Sequence, residues 1–350
     1  MRAAVYEGER TIRLEDVPDP RIEEPTDAVV RIEQAAVCGS DLWTYRGMGA
    51  GPGTRIGHEF VGTVEETGPK VTSVRPGDWV IVPFRYSCGQ CRFCRRGLQS
   101  SCVRGGFWGR ECADAGQGQK ARVPFADGTL VRALPDGSRP EESLVPSLLM
   151  LSDVFPTGYH AALRAGIKPG DTVVVVGDGA VGVNAVLASR LLGAGRVINA
   201  GSSHGDRNAL ARRFGADEIV TERGEDAVRA VEELTCGRMA DAVLECVGTP
   251  ASFATALRLA APGATVSYVG LPHGVDVPMA PLFSRNVTIT GGICPARAYI
   301  PRLLPLVLDG IAKPGDALTG RYSFGDLPRA YEDMDARRTL KALVDVDPRA

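Results

Sequence analysis

No segment of this 350-residue sequence approaches the ~18 consecutive apolar residues that a bilayer-spanning helix needs, so no transmembrane helix is expected. The opening MRAAVYEGERTIRLEDVPDP lacks the apolar core of a signal peptide, and the expected location is the cytoplasm. There is also no basic run and no acidic tail. Forty Lys and Arg stand against 42 Asp and Glu, a formal charge of -2, which gives no reason to expect nucleic acid or an anionic membrane as a partner. Internal repeats and low-complexity tracts are absent too, which excludes solenoids and disordered linkers. What remains is a globular chain longer than one typical core supports, and two domains are expected.

Cysteine is not scarce. Four of the nine cysteines fall within the fifteen residues CGQCRFCRRGLQSSC, as Cys88, Cys91, Cys94 and Cys102. In a reducing compartment such clustering favours metal over disulfides, and nine is an odd number. The spacing C-x2-C-x2-C-x7-C lets four thiolates wrap one tetrahedral zinc and close it off, which makes the expected site structural. Cys112, Cys236, Cys246 and Cys294 have no ligand spacing and are expected to be buried.

Two textures alternate along the chain. Up to about residue 150, short β-branched runs such as AVVRIEQAAV (28–37) and DWVIVPF (78–84) are punctuated by Gly and Pro, which predicts a loop-rich, largely antiparallel β unit. From Thr172 onward, apolar runs at 172–177, 196–200, 217–220, 242–246, 264–269 and 287–291 alternate with amphipathic segments. Six strands joined by crossovers predict an α/β doubly wound parallel sheet. A Pro-bounded helix is expected around 299–309, with a final strand at ALVDV.

TVVVVGDGAVG places Gly177, Gly179 and Gly182 as G-x-G-x-x-G between a buried strand and a helix, with Ala180 and Val181 between the last two glycines. Glycine is needed there where the chain turns, where backbone approaches a pyrophosphate, and where helix packs on strand, so a dinucleotide is the expected ligand. NAD sites usually carry a carboxylate about 20 residues later, at the tip of the second strand. Here the tip reads Gly201-Ser202-Ser203-His204 with Arg207 following, a set suited to a 2′-phosphate. NADP is therefore the expected cofactor, with NAD kept possible by Asp206 and a solvated polar loop as the alternative.

Cys38 in VCGSD, His58 and Glu59 in GHEF, and Asp153 in LSDVFPTGYH form a second, dispersed set. A thiolate, an imidazole and a carboxylate make three ligands and leave a fourth position open, as a catalytic zinc requires. Taken one at a time, Cys38 reads equally as a core residue, His58 as a loop histidine and Asp153 as a helix cap.

GHEFVGTVEETG followed by VRPGDWVIVPF, then the four-cysteine lobe, then VVVVGDGAVG, resembles the zinc-dependent alcohol dehydrogenases of the medium-chain dehydrogenase/reductase superfamily, essentially end to end. The resemblance implies a GroES-like, β-rich catalytic domain formed by 1–153 with 296–350, and a Rossmann domain at 154–295. It implies catalytic zinc ligands Cys38, His58 and Asp153, with Glu59 able to enter the coordination sphere and Asp41 orienting His58. That is two zincs per chain. Cys is common at the third ligand position; Asp there resembles the bacterial NADP-dependent secondary alcohol dehydrogenases.

The implied reaction is hydride transfer between an alcohol and the nicotinamide, with Ser40 taking the alcohol's proton. Relatives have a histidine three residues further on; this chain has Trp43, which truncates the relay. Thr157, Val247, Gly248, Val269, Gly270 and Leu271 are implied beside the nicotinamide, and Lys341 beside the pyrophosphate. Trp43, Tyr45, Phe84, Phe107 and Trp108 come from segments that flank the substrate channel, which implies a bulky, apolar or cyclic substrate; ordinary core is the other reading of these rings. A polyol, sugar or amino-alcohol dehydrogenase and a non-catalytic zinc protein are the alternative functions. The resemblance also implies a homodimer or homotetramer, paired through the strand near 287–291.

Overall fold

The structure, a computed structural model, describes residues 1–112 and 114–347. The chain divides into two compact units, Met1–Pro156 with Pro295–Ala350, and Thr157–Cys294. No helix among the described residues is long and apolar enough to cross a membrane.

The first unit is built on a seven-stranded sheet whose central strand is Ala28–Ala36. That strand has hydrogen-bonded neighbours on both edges and eight of its nine residues are buried, hence its almost uninterrupted small and β-branched run. It pairs antiparallel with Glu59–Thr67, Lys120–Val123 and the C-terminal strand Ala342–Asp345. Two registers place the polar side chains at the ends of these strands. Ala36 lies opposite Glu59, which brings Cys38 and His58 together just beyond the strand ends. Ala36 also lies opposite Leu343, and the N–H of Val37 donates to Ala342 O at 3.1 Å, so Lys341 arrives beside the same two ends. Val30, Ile32, Phe60, Val80 and Tyr331 fill the core beneath them.

The second unit is a six-stranded parallel sheet: β1 (Thr172–Val176), β2 (Arg196–Ala200), β3 (Glu218–Val220), β4 (Ala240–Glu245), β5 (Ala260–Tyr268) and β6 (Thr288–Gly291). The order is β3-β2-β1-β4-β5-β6, the doubly wound arrangement in which ligands sit beyond the carboxyl ends of the strands where the order reverses. Val173 to Val176 are all buried, as a strand covered on both faces requires. β5 begins at Ala260, four residues before the apolar run, and its register shifts between Ala260, opposite Ala240, and Thr265, opposite Ala242. The fold is thus α/β, a GroES-like β-rich unit and a Rossmann unit.

Two candidate metal sites and a nucleotide fingerprint

The four-cysteine lobe is closed upon itself. Sγ of Cys91 lies 3.5 Å from that of Cys94 and 4.0 Å from that of Cys102, and Cys102 Sγ lies 3.4 Å from Cys88 Sγ. These separations far exceed a disulfide bond. They match the ~3.8 Å edges of a tetrahedron with Zn–S bonds of about 2.3 Å. Backbone N–H groups converge on the sulfurs: that of Cys88 donates to Cys102 Sγ at 3.2 Å, and those around Cys91 pull its thiol down to about 6. Burial and the neighbouring sulfurs push Cys94 up to about 12, the behaviour of a cluster that holds negative charge badly without a cation. The residues fit a four-thiolate zinc. Of the other cysteines, Cys112 and Cys294 are buried and Cys246 is half-buried. Cys236, expected in the core, is exposed, because it sits at positive φ in the turn after helix Gly224–Leu234.

The dispersed set also meets. One donor atom from each of Cys38, His58, Glu59 and Asp153 lies within 4.8 Å of the others. Cys38 Sγ is 3.7 Å from Asp153 Oδ2, which is 3.3 Å from His58 Nε2. Asp153 follows the short 3-10 helix Met150–Ser152, tied down where the N–H of Phe84 donates to Ser152 O at 2.9 Å. Asp41 works on two ligands at once: Oδ1 lies 3.1 Å from His58 Nδ1, and Oδ2 accepts the Cys38 N–H at 2.9 Å. Burial alone would push His58 toward the neutral ring, but Asp41, Cys38 and Asp153 outweigh it and raise the pKa well above the usual histidine value. Burial likewise raises the Cys38 thiol. Protons are drawn in to offset a surplus of buried anionic donors, and a dication with nitrogen, sulfur and oxygen ligands satisfies the same demand.

Three sequence expectations change here. Lys341, expected at the pyrophosphate, is 1 % exposed, with Nζ 2.6 Å from Glu59 Oε2 and donating to Glu59 Oε1 at 2.8 Å and Val37 O at 3.2 Å. Its ammonium is committed to Glu59 because the strand register delivers it there. Tyr45 and Trp108, expected at a substrate channel, are core residues. Tyr45 packs on Tyr331 with ring centroids 5.4 Å apart, and Trp108 packs between Phe60 and Tyr86 and donates to Pro83 O at 3.0 Å. Phe84 meets His58 edge to face at 6.3 Å, and Phe107 lies 6.1 Å beyond it. Trp43 is half-buried on the short helix Asp41–Tyr45, and the exposed Ser40 hydroxyl lies 3.2 Å from Cys38 Sγ.

In the second unit each fingerprint glycine has its own reason. Gly177 turns the chain at φ +118°, and a Cβ on Gly182 would stand 2.2 Å from Gly177 O. A Cβ on Gly179, at the start of helix Ala180–Leu191, would meet nothing within 4 Å. Packing therefore does not explain Gly179, which leaves open space where the helix begins. The loops that follow β4 and β5 cross in contact: a Cβ on Gly248 would lie 2.2 Å from Leu271 O, and one on Gly270 2.3 Å from Gly248 N. Glu245, which sequence reasoning missed, holds this crossing by accepting the N–H groups of Val247 and Gly248, both at 2.9 Å, and the Ser252 hydroxyl at 2.8 Å. Val269 and Gly270 donate to its carbonyl. Thr157 is buried at the head of the unit.

Asp178 was missed as well. From between the first two glycines its carboxylate accepts Ser202 N–H at 3.0 Å and the Ser202 hydroxyl, and lies 3.4 Å from Arg207. The second-strand tip thus has an acid after all, supplied by the glycine loop, while Ser203 and His204 are exposed.

Comparison with known proteins agrees in both units. Residues 24–136 match the family model of the alcohol dehydrogenase GroES-like domain, and residues 180–309 that of the zinc-binding dehydrogenases. The chain is 35% identical over a 353-residue alignment to zinc-type alcohol dehydrogenase B of Aspergillus flavus, covering 98% of this chain and 81% of that one. It is 32% identical over 360 residues to an alcohol dehydrogenase of Cupriavidus necator, covering 95% and 94%. Among solved structures, alcohol dehydrogenase TADH from Thermus sp. ATN1 superposes with a TM-score of 0.89 at 34% identity, covering 99% of this chain and 100% of that one. These matches run through both units, and this chain belongs to the zinc-dependent alcohol dehydrogenases of the medium-chain dehydrogenase/reductase superfamily.

Proposed function

We propose that the chain transfers hydride between NADP(H) and a secondary or bulky alcohol/carbonyl pair, with one catalytic and one structural zinc. The observation that carries this reading is the meeting of a thiol, an imidazole and a carboxylate from three separate segments at a spot where Phe84 offers an apolar wall. Zinc held by Cys38, His58 and Asp153 supplies Lewis acidity that lowers the pKa of an alcohol hydroxyl. Asp41 keeps a proton on His58 Nδ1 so that Nε2 offers its lone pair. Ser40, beside Cys38 and open to solvent, takes the alcohol's proton, and because Trp43 does not titrate, that proton passes on to water. Phe84 and Phe107 exclude water and select an apolar substituent. Turnover of secondary alcohols, ketones, aldehydes and polyols with NADP(H) and NAD(H) tests the assignment; activity confined to polyhydroxylated substrates overturns the apolar specificity.

The cofactor reading rests on the exposed Ser203 and His204 and on Arg207, around the buried Ser202 that Asp178 holds in place. A charge-assisted bond to a phosphate contributes about 1.5–3 kcal/mol, so Arg207→Ala is expected to weaken 2′,5′-ADP binding by about tenfold or more and 5′-AMP binding little. Calorimetric titration of both ligands checks this, and equal losses refute a 2′-phosphate contact.

Oligomerisation through β6 is the third element. Among the described residues β6 pairs as a strand with β5 alone, and the helix just before it, Met279–Arg285, carries Phe283, 87 % exposed, and the exposed Met279, with Ile293 exposed just after it. An open strand edge flanked by apolar side chains suits a second copy of the same edge. Phe283→Asp is expected to shift the protein toward monomer in light scattering coupled to size-exclusion chromatography; an unchanged mass overturns the assignment.

A further inference from the structure

Behind Asp41 the hydrogen-bonding continues into the core of the first unit. Gln117 Nε2 donates to Asp41 Oδ2 at 3.3 Å and to Ala36 O at 3.2 Å, and the Tyr331 hydroxyl donates to Gln117 Oε1 at 2.7 Å. Gln117 is 1 % exposed and Tyr331 fully buried, so water does not compete for these bonds. The direction of the chain is set by chemistry. Ala36 O is only an acceptor, and Asp41 accepts from both Cys38 N–H and His58; the amide nitrogen of Gln117 must face them, and its oxygen must then face Tyr331. The phenol, its pKa raised by burial far from neutrality, stays a donor.

Packing holds both partners in place. Tyr331, on helix Leu327–Asp335, is pressed against the ring of Tyr45. The residue before His58 is Gly57, at φ +92°, where a Cβ would lie 2.3 Å from Gln117 Cγ. Glycine at that position is what lets the Gln117 side chain pass behind the histidine.

We propose that Gln117 and Tyr331 are positioning residues: bonds that run from Tyr331 to Gln117 to Asp41, and meet the His58 N–H at that carboxylate, fix the proton on His58 Nδ1 and thereby set how tightly the Cys38–His58–Asp153 site holds its metal. With Gln117 and the Cys38 N–H both donating to Oδ2, the Asp41 carboxylate is held with Oδ1 toward His58, and the ring cannot turn over or change tautomer without losing its bond to that oxygen. The proposal rests on the zinc reading of this site.

The zinc-loaded protein provides the test, because its four-cysteine lobe is an internal control. Tyr331→Phe removes one oxygen and Gln117→Leu removes the amide. Zinc loss to a chromogenic chelator is followed for each, together with the ring-nitrogen NMR spectrum, in which four histidines are to be assigned. Partners beyond the ligands typically alter metal affinity by 10–100-fold. Both variants are expected to speed release of one zinc by about tenfold, leave the other unchanged, and move the His58 Nδ1 resonance. Unchanged release of both zincs, or equal acceleration of both, overturns the proposal, as does a shift in neither His58 nitrogen. A wild-type protein that carries zinc in the cysteine lobe alone overturns the zinc reading and this inference together.

Discussion

Asp153→Asn is expected to lower kcat/KM by about three orders of magnitude while leaving the chain folded and the cysteine lobe loaded. Asparagine keeps the volume and shape of the side chain and removes its charge, at a cluster where His58 draws a proton against the cost of burial and burial itself raises the Cys38 thiol. Loss of the anionic oxygen weakens the hold on a dication, and Lewis-acid stabilisation contributes several kcal/mol, each 1.36 kcal/mol being tenfold in rate. On the proposed two-zinc reading, zinc per chain should fall from about two toward one, since the described residues hold two groups able to bind a metal and the variant damages one of them. Asp153→Cys separates charge from geometry: a thiolate also binds zinc and is expected to restore metal content and most of the activity. Plasma emission analysis beside steady-state kinetics reads both quantities. Full activity of the asparagine variant at unchanged zinc content would sink the assignment of Asp153 as a ligand.

What could be read from the residues alone was whatever local spacing or periodicity encodes. The cysteines of the lobe are neighbours in sequence, so their spacing alone announces a tetrahedral cluster. The parallel sheet announces itself because strands covered on both faces must be apolar throughout, as at Thr172–Val176. The strand register was not legible. Lys341 and Glu59 are 282 positions apart, and only the pairing of Ala36 with both Glu59 and Leu343 brings them together. Tyr331 and Gln117, 214 positions apart, are invisible for the same reason. Aromatic residues carry no directional signal at all. Tyr45 and Phe84 are equally plausible channel residues by position, and packing sends the first against Tyr331 and the second toward His58. Asp178 did carry a local signal, an acid between the first two fingerprint glycines. A ribose partner is ordinarily sought at the end of β2, and this acid reaches that place from the loop opposite.

Lys341→Met is expected to destabilise the first unit by about 3–5 kcal/mol, the usual cost of stranding one member of a buried ion pair. Both side chains are inaccessible, at 1 % and 0 % exposure, and Glu59 has no water to fall back on. Burial alone would drive Lys341 toward its neutral amine, yet Glu59 outweighs it and raises the lysine pKa, while burial pushes the Glu59 carboxyl up and Lys341 pulls it down. Removing the ammonium leaves a carboxylate beside Asp153 and Cys38, where the existing surplus of anionic donors grows by one. The stranded carboxylate then has two routes to relief, taking up a proton or joining the cation's ligands, and the second exists only when zinc is bound. The loss should therefore be larger in metal-stripped protein than in loaded protein. The double variant Lys341→Met with Glu59→Gln should recover most of it, because the two effects share one interaction. Urea unfolding followed by tryptophan fluorescence reports on this unit specifically, since Trp43, Trp79 and Trp108 all belong to it. A single-variant loss below about 1 kcal/mol would place the pair with exposed salt bridges and contradict its burial.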